Sequence, residues 1–263
     1  MAEEKPSRTF TGDLLQTRFI GKKVIYYPRV TSTMDAARDE ARKGTDTGTV
    51  VIAGEQTKGR GRMQRAWLSP KGNIAVSIIL HPEITYLPFL VVITALAVAR
   101  SIEEITGLQT QVKWPNDILI GGKKVGGILI ENEVKRNEVM YAIVGIGINT
   151  DVTPVIKEGG MLPATCLNDE LGGNIPRTNL IKRILQEMEC LYLELPETEP
   201  MLREWQDRMI TLGKSVRVYS GGTALEGTAE AVDETGSLLL RYANGSSTTI
   251  VAGDVTLRDK EQE

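Results

Sequence analysis

The apolar and polar positions follow two rhythms, and the change between them comes near residue 213. Before it, β-branched runs alternate with helical spacing. "VIYYP" at 24–28 is a β-branched and aromatic run stopped by proline, and "TSTMDAARDEARKG" after it predicts a helix that Ser32 or Thr33 caps and Gly44 closes. Further strands are expected at 49–55 ("TVVIAGE"), 73–82 ("NIAVSIILHP") and 139–150 ("VMYAIVGIGINT"). From Leu87 to Thr106 the apolar positions wrap most of a helix that Gly107 ends, as suits packing on a sheet face. "TQVKWPNDILIGGKKVGGILIENEV" predicts an edge strand, a turn at Gly121 and Gly122, and a long strand. Residues 151–176 read as loop-rich, after which Leu180, Ile184, Met188, Leu191 and Leu195 share one helical face. Beyond Gly213 come short β runs, "SVRVYS", "LEGTAEAVD", "SLLLRYA" and "STTIVAGDVTLR", separated by "SGG", "ETG" and "ANG" turns. The pattern predicts a mixed-sheet α/β (α+β) domain over 24–212 and a small SH3-like β-barrel over 213–263. Residues 1–23 form a lead-in whose "FTGDLLQTRFIGK" is expected to hold a short helix.

Composition narrows the chemistry. At 263 residues, 41% hydrophobic and 25% charged, the chain can bury one large core and one small one, which argues against a disordered or fibrous protein. Cys166 and Cys190 lack C-x-x-C spacing and His81 is the only histidine, so neither a disulfide framework nor a Cys/His zinc site is expected. No apolar signal core opens the chain, and the greasiest stretch, Leu87 to Ala99, is too short to span a bilayer; a cytoplasmic protein without membrane attachment is expected.

Two clusters carry candidate chemistry. In "EQTKGRGRMQRAW" (55–67), Gly59 and Gly61 let a ligand approach the backbone, while Arg60, Arg62 and Arg65 offer forked donors for phosphate or carboxylate oxygens. A solvated basic loop or an RNA-binding RG segment would look the same, although a net charge of -3 favours a small anionic ligand over a dedicated nucleic-acid partner. In "KWPNDILIGGKKVGG" (113–127), Lys113 and Lys124 flank Asn116 and Asp117, and Gly126 and Gly127 leave backbone N–H groups uncovered by side chains. A turn with exposed lysines is the plain alternative. Familiar catalytic patterns fail: there is no G-x-S-x-G, and the one histidine, His81, sits beside a proline at a strand end, a poor partner for a nucleophile. "LGKS" at 212–215 lacks the first glycine of a phosphate loop, which would fall at Arg208. "GIGIN" at 145–149 lacks the third glycine of a dinucleotide fingerprint and ends a strand.

Taken in order, Ser32 and Thr33, Gln56 before "GRGR", Arg65, Trp67, "KWPND", "KKVGGILIE" and "GIGIN" resemble the biotin protein ligase family, from about Val24 to Asn149, and the C-terminal barrel is similar to that family's terminal domain. The resemblance implies an enzyme, a biotin–[biotin carboxyl-carrier protein] ligase, that activates biotin with ATP as biotinyl-5'-AMP and transfers it to a lysine of a biotin carboxyl carrier domain. Onto this sequence it carries a biotin set of Ser32, Thr33, Met34, Gln56, Arg60 and Gly61, continued by Arg62, Lys124, Gly126 and Gly127. Its ATP set is Arg60, Arg62, Arg65, Trp67, Lys113 and Asn116, with Lys124 and, against adenine, Asn149. Lys124, Asp117 and Arg62 are the catalytic candidates: Lys124 contacts the biotin carboxylate and the phosphate under attack, and Asp117 orients or deprotonates the acceptor amine. Mg2+ is expected with ATP near Asp117, in no site made by protein alone. Joining a carboxylate to an α-phosphate calls for preorganised cations rather than a nucleophile, which suits arginines, lysines and no histidine.

Only 31 residues precede Ser32, so the resemblance is to the ligase-only form without a DNA-binding domain, and specific DNA binding is not expected. It leaves a homodimer open. Two alternatives stand beside it. A lipoate or octanoate ligase would share the adenylate chemistry, but the Arg-Arg-Gly-Gly and His-Asp features of that group are absent. A nucleic-acid adaptor using the RG loop would show steep salt dependence and no need for ATP.

Overall fold

The computed structural model describes residues 15–154 and 162–257. Seven strands form the first sheet: β1 (Val24–Tyr27), β2 (Val50–Ala53), β3 (Ile74–Leu80), β4 (Gln111–Lys113), β5 (Asp117–Ile120), β6 (Lys123–Lys135) and β7 (Glu138–Ile148). Their spatial order is β1-β2-β3-β7-β6-β5-β4. The β1–β2 pair is parallel, with helix α1 (Thr33–Arg42) in the crossover, and every other ladder is antiparallel. A mixed sheet results, as the sequence predicted.

Both faces of that sheet are covered, which is why β3 is buried at all seven positions. Helix α2 (Phe89–Thr106) is apolar nearly all round and lies between the sheet and two outer helices, α4 (Arg177–Leu193) and α5 (Thr198–Asp207). Gly107 ends α2 in the left-handed region that glycine enters without a Cβ penalty. On the opposite face α1 sets Met34, Ala37 and Ala41 against Val51, Ile79 and Ile143. Arg100 and Arg208, with Glu103, Glu187 and Glu204, tie α2, α4 and the end of α5 together at their partly exposed edges.

Strands β8 (Ser215–Ser220), β9 (Thr223–Val232), β10 (Leu238–Arg241), β11 (Ser247–Ile250) and β12 (Asp254–Leu257) make a second, antiparallel sheet in the order β11-β10-β9-β8-β12. It is not an isolated module. Trp114, which directly follows β4, donates its indole N–H to Gly236 O at 3.0 Å, and its own backbone N–H reaches Thr211 Oγ1 at 2.9 Å. Trp205 of α5 is fully buried against the same Gly236 turn.

Some expectations need correction. Residues 15–22 of the lead-in form turns and bends, not the helix expected for "FTGDLLQTRFIGK"; residues 10–14 of that stretch lie outside the described residues. Glu189 of α4 explains how turns suffice there, since its carboxylate accepts the backbone N–H groups of Arg18, Phe19 and Ile20. The loop-rich stretch 151–176 also holds, among its described residues, a short helix, α3 (Leu167–Leu171). "STTIVAGDVTLR" is two strands that pair with different neighbours, β11 with β10 and β12 with β8. Gly126 and Gly127 stand mid-sheet, laddered to β5 and β7.

Candidate functional site

A cavity of about 700 Å³ opens where the loop after β2, the first turn of α1, strands β6 and β7, and strands β8 and β12 meet. Gln56 N bonds to Ser69 O at 2.9 Å, and Thr57 and Lys58 donate to the carbonyls of Val30 and Thr31, which fixes the root of the glycine-arginine loop. Its tip folds back on itself: Trp67 N reaches Gly59 O at 2.9 Å and Gly61 N reaches Arg65 O at 2.8 Å. A side chain at 59 would put its Cβ 2.4 Å from Trp67 O, so this closure requires glycine.

One end of the cavity is neutral. Thr33 offers its N–H and hydroxyl to Gln56 Oε1 at 2.8 and 3.1 Å, while Ser77 donates to Thr33 Oγ1 at 2.8 Å. Around this polar knot lie Met34, Val76, Leu129 and Ile146. The floor is made of glycines. A Cβ on Gly145 would sit 2.5 Å from Met34 Sδ, and one on Gly147 would sit 2.4 Å from the Trp67 ring. Trp67 therefore lies flat on β7 only because Gly147 has no side chain. Its indole N–H is buried against that strand with no partner among the described residues.

The other end is cationic. Lys124 Nζ binds Asp117 Oδ1 at 2.6 Å and sits 5.5 Å from the Trp67 ring centroid, at the junction of the two ends. Lys113, four residues before Asp117, is 4.0 Å from its other oxygen and is buried. Burial lowers the Lys113 pKa, with Lys124 and Arg65 adding repulsion and Asp117 and Asp254 opposing it. Burial lowers the Arg62 pKa as well. Asn116 Oδ1 accepts from Arg62 at 3.0 Å while its amide donates to Ile128 O at 2.7 Å, so Asn116 fixes the arginine to the sheet. The second sheet contributes directly: Asp254 of β12 binds Arg65 at 2.5 Å, and Arg217 and Tyr219 of β8 line the same wall. Concentrated positive charge beside a neutral, glycine-floored slot can hold an anion next to an uncharged group and neutralise charge that builds between them.

Comparison with known proteins decides the family. Residues 26–149 match the biotin/lipoate A/B protein ligase family, and residues 211–258 match the biotin protein ligase C-terminal domain. The bifunctional ligase/repressor BirA of Bacillus subtilis is 35% identical over 97% of this chain and 81% of its own length. The chain belongs to the biotin protein ligase family. A biotin–[acetyl-CoA-carboxylase] ligase of Mycobacterium tuberculosis is 32% identical over 82% of the chain and 81% of its own. The Aquifex aeolicus biotin protein ligase solved with biotin and ATP superimposes with a TM-score of 0.75 at 28% identity, covering 91% of this chain and 100% of that one.

In this ligase most of the residues singled out from sequence meet in the cavity: Thr33, Met34, Gln56, Arg60, Gly61 and Arg62 from the first half, with Arg65 and Trp67. Lys113, Asn116, Asp117, Lys124, Gly127 and Asn149 join them. Asn149 is buried and donates to Thr165 O at 3.0 Å, and its second amide hydrogen has no partner among the described residues. Two expected residues stand behind the lining. Ser32 is the N-cap residue of α1 yet makes no capping bond, and its hydroxyl is buried without a partner among the described residues. Gly126 directs its Cβ position toward Ile118 and Ile148, away from the slot that Gly127 floors. His81 is exposed beyond β3 and lies outside the cavity, in keeping with chemistry that needs no histidine. The sequence reading missed Gly145, Gly147, Arg217, Tyr219 and Asp254. "GIGIN" did contain the first two, as alternate residues of a strand that share one face.

Proposed function

We infer that this protein activates biotin with ATP, forming biotinyl-5'-AMP and pyrophosphate, and then transfers the biotinyl group to a lysine amine of a biotin carboxyl carrier domain. The observation that carries this reading is the continuity of the two ends across Lys124, which touches the Asp117 carboxylate and the Trp67 ring at once. Biotin's uncharged ureido ring and apolar rings suit the Thr33–Gln56–Ser77 knot and the glycine floor. Its carboxylate then points toward Lys124, and the ATP phosphates fall among Lys113, Arg62 and Arg65. An ammonium held between two oxyanions that repel each other stabilises the transition state more than the separate substrates, because negative charge gathers there.

Asp117 is the group that aims Lys124. Its Oδ1 is committed to that ammonium at 2.6 Å, so it orients the cation, and deprotonation of the acceptor amine would require this pair to part first. Among the described residues no cluster of histidine, cysteine or carboxylate side chains could hold a metal alone. Mg2+ is proposed as the companion of the ATP phosphates, supplying charge neutralisation where Asp117 is the carboxylate within reach. Asp254 supports a part for the C-terminal sheet, through Arg65, in completing the nucleotide end.

Among the described residues no helix is long and apolar enough to cross a membrane. ATP as substrate and two unpaired cysteines, Cys166 and Cys190, favour a cytoplasmic setting. Sequence-specific DNA binding is not part of the proposal, in keeping with the net charge of -3. Labelling of a purified biotin carboxyl carrier domain in the presence of ATP and biotin tests the reading. Label that depends on both substrates supports it; no label with biotin, but transfer of lipoate or octanoate to a lipoyl domain, overturns it.

A further inference from the structure

Arg60 lines the cavity, yet its two terminal nitrogens are turned to other partners. Nη1 binds Glu131 Oε1 at 2.7 Å, and Nη2 binds Glu131 Oε2 at 3.0 Å and Asp35 Oδ1 at 2.9 Å. Arg38 completes a ring of alternating charge, donating to Asp35 Oδ1 at 2.9 Å and to Glu131. Glu131, Asp35 and Arg38 all lie behind the cavity wall, outside its lining. What remains on Arg60 is Nε–H, buried and without a partner among the described residues. The ring joins three separate pieces: the loop through Arg60, the first turn of α1 through Asp35, and β6 through Glu131. Asp35 directly follows Thr33 and Met34, the α1 residues that line the neutral end.

We propose that Glu131 is a positioning residue of this ligase: with Asp35 it clasps the guanidinium of Arg60 by both terminal nitrogens, so that the loop carrying Arg60 and Gly61 is already fixed against α1 and β6 where it lines the acyl end of the cavity. The proposal rests on the biotin reading of the cavity. A free arginine loses much side-chain freedom when it binds a ligand, and one already gripped bidentately has lost it beforehand. The gain appears in affinity, not in fold stability. Glu131 and Arg60 side chains are 27% and 35% exposed, and pairs at such exposure add little to the folded state. Geometry, rather than net charge, is what the clasp supplies, since a lysine could match the charge but not the two-pronged grip.

Glu131→Gln keeps the shape and removes the second charged prong. It is expected to raise the KM for biotin about tenfold with kcat within about twofold, and to leave Tm unchanged. In an Arg60→Lys background the same substitution is expected to add almost nothing, because Glu131 acts through the guanidinium. An unchanged KM in Glu131→Gln, or the same loss in both backgrounds, overturns the clasp. Tryptic cleavage after Arg60 and Arg62 reads the loop without any ligand, and several-fold faster cutting is expected in Glu131→Gln; equal rates overturn the proposal. Should the wild type form no adenylate from biotin, the reading of the cavity fails, and the tryptic comparison still decides the clasp.

Discussion

The neutral and cationic ends of the cavity are built in opposite ways. At the neutral end shape comes from what is missing: Gly145 and Gly147 have no Cβ, so Met34 and Trp67 settle onto bare strand, and Thr33, Gln56 and Ser77 satisfy one another. At the cationic end the protein gathers Lys113, Lys124, Arg62 and Arg65 and, among the described lining residues, offsets them with Asp117 and Asp254. The first end has its shape before a ligand arrives, while the second carries an electrostatic cost that an anion relieves. Substitutions at the neutral end should therefore move affinity for biotin. Those at the cationic end should move rate and nucleotide affinity, and some should even stabilise the empty protein.

The largest separation is expected at the junction. Lys124→Ala should slow adenylate formation on the order of 100-fold or more, as loss of one preorganised donor does, and Lys124→Arg should restore only part of the rate because the charge is displaced. Stopped-flow pyrophosphate release without acceptor reads this step, and near-normal release from Lys124→Ala with loss in Lys113→Ala would move the role to Lys113. Next comes Gly147→Val. Its Cβ would sit 2.4 Å from the Trp67 ring, a collision that a rigid indole on a central strand cannot absorb. A rise in biotin Kd of about 10- to 100-fold, with ATP affinity nearly intact, is expected by calorimetry. A matched loss of both ligands would mean that the two ends are one unit.

Asp254→Ala probes the second sheet. Releasing Arg65 should raise the KM for ATP about tenfold and leave biotin binding in place. A point substitution is the cleaner tool, because truncation after Leu212 would remove the Gly236 turn that covers Trp114 and Trp205 and so damage the larger core. Unchanged ATP kinetics would confine this strand to a structural role.

The smallest effect has the opposite sign. Burial lowers the Lys113 pKa, so the folded chain holds that proton less tightly than the unfolded one. The resulting penalty is in force through the neutral range, fades as pH rises toward the free-lysine value of about 10.4, and is gone above it. Lys113→Met should raise Tm by roughly 2–4 °C per kcal/mol recovered at pH 7, show less gain above about pH 10, and weaken ATP a few-fold. Calorimetric scans at the two pH values check the sign, and a lower Tm at pH 7 would show that the lysine is stabilised where it stands.

The same contrast explains what could be read in the sequence. Charged and amide residues at the cationic end announce their chemistry by type, and Lys113, Asn116, Asp117 and Lys124 were legible within one stretch of twelve positions. The long strands β3 and β7 and helix α2 were legible because burial on both sides leaves a continuous apolar run. Gly145 and Gly147 were not: absence of a side chain signals a floor only when Met34 and Trp67, far away in the chain, are known to lie on it. Asp254 and Arg217 were hidden for the same reason, being ordinary surface charges of a small sheet until β12 is placed beside Arg65. Helix α5 had a usable signal in Met201, Leu202 and Trp205, three apolar positions on one face of an otherwise polar stretch.

The most direct test of the two-ended site is to mix the protein with biotin and Mg-ATP, without acceptor, and to quantify bound adenylate by native mass spectrometry. One biotinyl-5'-AMP per chain with one pyrophosphate released is expected, and no adenylate from lipoate or octanoate under the same conditions. Adenylate formed from lipoate or octanoate but not from biotin would contradict the assignment of the neutral end, and pyrophosphate release independent of any acid would contradict the junction at Lys124.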